Sequence, residues 1–131
     1  MTERDTGFGL SGIGQVALTT RNLDGAVKFY RDVLGLKFLF QAPPGMAFFD
    51  CGNLRLMIGL PDRPELDHPS SILYFTTGDI HAAYATLKDR GVKFEVAPHM
   101  VHRTEKMELW LADFRDMDGN LHALMSEIAV A

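Results

Sequence analysis

Three groups of residues have types and spacings that could do chemistry. The first is Asp116, Asp118 and His122, set around Gly119-Asn120 near the C-terminus. Two carboxylates and an imidazole this close could hold a divalent cation or work as an acid/base pair. Asp, Gly and Asn are also what a hairpin turn requires, so Asp116 and Asp118 are expected to cap and solvate a turn. The second group is His99, His102 and Glu108, with Arg103 between them. Either histidine titrates near neutrality and is the candidate general acid/base of the chain. Arg103 is suited to a carboxylate or phosphate. The segment follows Pro98 and reads as a polar loop from His99 to Lys106, so its spacing does not itself define a metal site. The third is Cys51, the only cysteine. It lies in a strand-like run, cannot form an internal disulfide, and is expected to be a small buried hydrophobe. His68, in a Pro-rich segment, and His81, at a helix start, are expected to be solvated.

The elements that must position these residues follow from hydrophobic period and turn chemistry. The first dozen residues are polar and Gly-rich and read as a loose tail, with no apolar core of a leader segment. "IGQVALTT" reads as a strand. Asn22 then caps a helix whose apolar positions Leu23, Ala26, Val27, Tyr30, Val33 and Leu34 share one face, and Gly35 ends it. "LKFLFQ", "MAFFDC" and "LRLMIG" read as strands separated by Pro43-Pro44-Gly45 and Gly52-Asn53. The pattern then restarts: strand "SILYFTT", a helix capped by Asp79 and ended by Gly91, and strands "VKFEVA", "MELWLADF" and "LHALMSEI". Thr19-Thr20-Arg21-Asn22-Leu23 matches Thr76-Thr77-Gly78-Asp79-Ile80 at an offset of 57, and Gly35-Leu36-Lys37-Phe38 matches Gly91-Val92-Lys93-Phe94 at an offset of 56. A long period seen twice marks a duplicated βαβββ module. The expected layout is one domain over 1–131, with module one at about 12–60, a linker at 61–70 and module two at about 71–128. One helix covers one face of each sheet, so the other face must bury or enclose something.

Bulk properties narrow the classes. The chain has 131 residues, 47% hydrophobic and 23% charged, with a net charge of −4. That suits one folded domain and lacks the basic patch nucleic acid would require. No run approaches membrane-spanning length. The expectation is a cytoplasmic protein with no nucleic-acid or membrane partner.

The run "VALTTRNLDGAVKFYRDVLGLKF" and the run "FRDMDGNLHALMS" resemble the first helix region and final hairpin of the vicinal oxygen chelate superfamily, which includes glyoxalase, bleomycin-resistance and extradiol dioxygenase proteins. The resemblance covers about residues 12 to 128. It implies an α+β fold, two βαβββ modules forming a cup-shaped cleft (the glyoxalase/bleomycin resistance fold), often completed across a homodimer. It also implies, in the catalytic members, a divalent metal held by four His, Gln or Glu ligands, one from each of four strands. Function does not follow from the fold alone.

Mapped onto this chain, the first ligand position lies seven residues before Asn22, at Gln15. The same count before Asp79 gives Ile72, which has no donor. The third position falls on Met57, with Arg55 in the alternative register. The fourth, four residues after Gly119, is Ala123. Both anionic ligands are absent, and one neutral amide cannot hold a hard divalent ion. No metal or other cofactor is therefore expected. His122, of opposite strand parity to Ala123, should point away from the cup.

The cleft lining expected from strand parity is Gln15, Ala17, Thr19, Arg55, Met57, Ile72, Tyr74, Thr76, Leu121, Ala123 and Met125, with Arg103 at the mouth. Trp110 either stacks on a ligand or fills core, and core is favoured. Such a lining suits a small apolar or aromatic molecule, orientated by a few hydrogen bonds. The leading expectation is a metal-free binding protein. The runner-up is a metal-independent isomerase, lyase or hydrolase using His99 or His102. A structural or regulatory dimer with an unused cleft is the third.

Overall fold

The computed structural model describes residues 8–130. Module one runs β1 (Gln15–Thr19), α1 (Leu23–Val27, continued by a π-helical stretch Lys28–Val33), β2 (Lys37–Ala42), β3 (Met46–Cys51) and β4 (Leu54–Gly59). A single 3₁₀ turn, Pro64–Leu66, interrupts the connecting segment. Module two runs β5 (Leu73–Thr76), α2 (Ile80–Asp89), β6 (Phe94–Arg103), β7 (Met107–Arg115) and β8 (Leu121–Ala129). Each module forms its own four-stranded sheet, ordered β1-β4-β3-β2 and β5-β8-β7-β6. The tail expected over the first dozen residues falls partly on residues 1–7, which lie outside the described ones. Residues 8–14 carry neither helix nor strand.

Local chemistry explains the helix starts. The Asn22 side chain accepts from Gly25 N–H at 3.0 Å and the Asp79 side chain from Ala82 N–H at 3.1 Å, each satisfying an otherwise orphaned donor. Gly35 and Gly91 adopt φ of 79° and 94°, which lets the chain leave each helix sharply. The first helix differs from the single α-helix expected. Its second half is π-helical, with Leu34 N–H bonded to the Phe29 carbonyl at 2.9 Å. The wider turn spreads Phe29 and Leu34 so that both pack against the cores of both modules.

The core is two clusters. Leu18, Ala26, Val27, Tyr30, Phe49, Leu56 and Ile58 build the first, and Ile80, Leu87, Val92, Ala112, Phe114 and Leu124 the second. Phe75 packs against both. Helices and inner sheet faces thus meet at the seam between modules, and the opposite face of each sheet points outward. Cys51 is half-buried against the first cluster, and burial, then Asp50, pushes its thiol pKa up.

One element corrects the sequence reading. His99 to Arg103, expected as a loop, continues β6, and the hairpin turn is confined to residues 104–106. Pro98 does not stop the strand because β6 is a sheet edge, where a missing N–H costs no ladder bond. Register shifts between Val96 and His99 and between Met100 and His102 absorb the irregularity.

Candidate functional site

The outer face of module one is built on the parallel pair β1 and β4. Gln15 lies beside Arg55 and Ala17 beside Met57, so both residues that the two strand registers offered stand on the same face. Arg55 Nε donates to Gln15 Oε1 at 2.8 Å. The guanidinium lies over the Phe48 ring, 5.0 Å from its centroid, and Phe48 stacks on Phe40 at 4.6 Å and 25°. Gln15 Nε2 reaches Met57 Sδ at 3.9 Å. Beyond Met57 the face sinks into a partly open pocket of about 150 Å³. Ala17, Thr19, Met46 and Met57 form one wall and Leu60 and Leu66 of the connecting segment form the other.

Phe40 and Phe48 were not among the residues expected here. A register shift between Phe38 and Phe40 pairs Phe38 with Phe49 on the core face and Phe40 with Phe48 on the outer face. Uninterrupted alternation would have put Phe38 and Phe40 on one face, so parity alone hides this stack.

On module two, Tyr74 pairs with Ala123, Thr76 with Met125, and Asp113 with Ala123. Tyr74 and Ile72 are 52% and 46% exposed on this outer face. The shifted register sets His99 opposite Leu111 and His102 opposite Leu109, the same face as Ala123 and Met125. Both histidines are exposed, and His99 Nδ1 lies 3.0 Å from the Ala97 carbonyl. Arg103 and Trp110 belong to the other face. Arg103 pairs with Glu108 at 3.5 Å, Glu108 accepts from Trp110 Nε1 at 3.0 Å, and the indole packs edge-on against His81 of α2 at 5.1 Å.

The residues at the four implied ligand positions do not fit a divalent cation. Gln15 spends its amide oxygen on Arg55, whose own positive charge occupies the neighbourhood, and Met57, Ile72 and Ala123 supply no hard donor. Among the described residues no three His, Cys, Asp or Glu side chains converge elsewhere.

The Asp116–His122 stretch forms a clasp between modules, buried at Asp116 and His122. The Asp116 carboxylate accepts from Asp118 N–H, Asn120 N–H, Asn120 Nδ2 and Tyr30 O–H, the last at 2.6 Å. Burial pushes its pKa up, but the adjacent His122 imidazole and hydrogen bonds from Tyr30 and Asn120 outweigh that and hold it at about 2. Burial and then the Asp116 charge push the Tyr30 phenol far up, so it stays protonated. The phenol donates to Asp116, so its oxygen accepts from His122 Nε2–H at 2.7 Å. His122 is fully buried and its Nδ1 has no partner. It faces the core, away from Ala123. Asp118 accepts from Thr20 O–H at 2.6 Å and Arg21 N–H at 3.2 Å.

An open cleft of about 770 Å³ runs along the seam. Leu34, Cys51 and Leu54 line it from module one, and Thr77, Leu87 and Arg90 from module two. Of the residues expected to line the binding cleft, Tyr74 and Thr76 border it.

Paired βαβββ modules, each with a covered inner face and a bare outer one, define the class. Residues 12–124 match the Glyoxalase/Bleomycin resistance protein/Dioxygenase superfamily, and the chain belongs to that family. A member of the same superfamily from Sphaerobacter thermophilus is 26% identical, with 89% of this chain and 98% of that chain covered and a TM-score of 0.72. Lactoylglutathione lyase from Agrobacterium tumefaciens is 24% identical, with 90% and 95% covered and a TM-score of 0.69. TnmS3, an antibiotic binding protein from Streptomyces sp. CB03234, is 22% identical, with 92% and 98% covered and a TM-score of 0.72. No curated protein matches the chain in sequence. No helix among the described residues is long and apolar enough to cross a membrane.

Proposed function

We propose that this chain is a metal-independent binding protein for small apolar or aromatic molecules, and that the outer face of module one is its primary binding surface. The supporting observation is the arrangement at the implied metal position: Arg55 held by Gln15 and Phe48, beside Met57 and an apolar pocket. The likeness to an antibiotic binding protein agrees with it. We further propose a homodimer. β1 and β5 each end a sheet, and neither carries a charged residue that would discourage pairing with another copy. Pairing through these edges would continue the sheet of one copy into that of the other and widen the outer face. Calorimetric titration with an aromatic library, run with and without a chelator, tests the reading. Binding that survives chelation is expected. Loss of all binding on chelation, or one tightly bound metal per chain, overturns it.

One observation favours a second reading, a metal-independent isomerase, lyase or hydrolase. The β6 register shifts bring His99 and His102 to the face that also holds Asp113 and Ala123. A turnover screen with His99→Ala and His102→Ala decides it, and activity unchanged in both variants rules out this base.

A further inference from the structure

The module-one face carries a more specific statement than apolar binding. Among the described residues Arg55 makes no ion pair, and only its Nε is used, by Gln15. Asp50, its cross-strand neighbour on β3, is paired in register with Lys37 on the other side and also makes no ion pair with Arg55. The guanidinium is nevertheless not a free surface charge. Its flat face rests on Phe48 and its inner edge is fixed by Gln15, so both terminal nitrogens are left for an external acceptor. A guanidinium oriented this way matches the two oxygens of a carboxylate.

The apolar half of the site lies along the same strand. Met57 is two residues from Arg55, a spacing of about 7 Å on one strand face. The pocket begins at Met57 and is bounded by Leu60 and Leu66. A molecule lying along β4 would meet a cation at one end and a thioether and aliphatic wall at the other. We propose that the ligand is a planar aromatic carboxylate: its acid group is paired with Arg55 and its ring lies over Met57 toward the linker-covered pocket. Here a guanidinium does by charge and shape what a cation does in metal-bearing relatives, orienting an oxygen-rich end while the ring supplies contact area.

This inference rests on the binding role proposed above, and a matched pair of probes separates the two. 2-Naphthoate and its neutral amide, 2-naphthamide, share a ring system and differ in charge. Calorimetric titration of the full chain should show 2-naphthoate binding about tenfold tighter, the size of one partly exposed charged hydrogen-bonded contact. Arg55→Met should abolish that preference, so that the two probes bind with equal affinity. Leu66→Ser, in the pocket wall, should weaken both probes equally. Circular dichroism of each variant confirms that it is folded. Equal affinity of the two probes for the native chain, or a preference that survives Arg55→Met, overturns the carboxylate assignment and leaves the binding role standing. Failure of both probes to bind overturns both.

Discussion

The seam between the two modules has two sides, related by the internal repeat, and they ended differently. At an offset of 57, Thr20 corresponds to Thr77 and Tyr30 to Leu87. The parallel registers equate Leu56, beside Val16, with His122, beside Leu73. On one side Tyr30 and His122 meet, Asp116 joins them, and Asp118 reaches Thr20. On the other side Leu87 and Thr77 look across the 770 Å³ cleft at Cys51 and Leu54. Turn length separates the cases. Only Gly52-Asn53 links β3 to β4, whereas residues 116–120 link β7 to β8. The longer turn carries two carboxylates into the seam and closes it; the shorter one cannot reach. A duplicated module can thus keep one fold and diverge at its seam by a few turn residues and two core substitutions.

Breaking the closed side should have the largest effect. Asp116→Ala removes the acceptor of four hydrogen bonds and strands buried donors, at a cost of about 4 kcal/mol by urea denaturation. A loss under 1 kcal/mol would mean that the turn, and not its carboxylate, closes the seam.

Truncation of two core leucines, one enclosed and one beside the cleft, sharpens the contrast. Leu56 is enclosed in the first core cluster, and Leu87, in the second, also borders the cleft. Leu56→Ala should cost about 4 kcal/mol and Leu87→Ala about 2 kcal/mol, because a void already beside Leu87 leaves fewer contacts to lose. Equal losses would show that the cleft is filled in solution.

Acid should act on the closed side alone. The folded pKa of Asp116, about 2, lies below its ordinary 3.8. The carboxylate therefore contributes stability above the ordinary value, and loses it as pH falls toward 2, by roughly 2 kcal/mol in all. Asp116→Asn should be less stable near neutrality and should lack this part of the acid dependence. An identical acid profile in the variant would place the titration elsewhere.

How much of this was legible in the sequence depends on whether a feature is local. Both helix caps, the glycine exits, the duplicated strand–helix order and the outward parity of Gln15, Met57 and Tyr74 follow from short-range period and turn chemistry. Counting from Gly119 puts Ala123 in the same expected lining as Tyr74, and the structure pairs the two. The Phe40–Phe48 stack depends on a register shift, and β6 runs through Pro98 because it is an edge. Neither is visible in the residues themselves. The meeting of Tyr30 with His122 spans 92 positions and required the seam. Tyr30 fitted an apolar helix stripe as well as Leu87 does, so its hydroxyl gave no local sign of a partner.

The smallest change tests whether that hydroxyl is what distinguishes the two sides. Tyr30→Phe keeps the ring packed against Phe29 and Phe49 and deletes only the oxygen that links Asp116 to His122. Asp116 keeps three of its four donors, while His122 Nε2–H loses the phenol and lies 3.7 Å from the carboxylate, too far for a good hydrogen bond without adjustment. A cost of about 1 kcal/mol is expected. If the clasp acts as a unit, Tyr30→Phe in the Asp116→Ala background should cost clearly less than in the native chain, since the hydroxyl no longer has its carboxylate. Additive losses would show that Tyr30 stabilises the seam by packing alone, as Leu87 does on the open side.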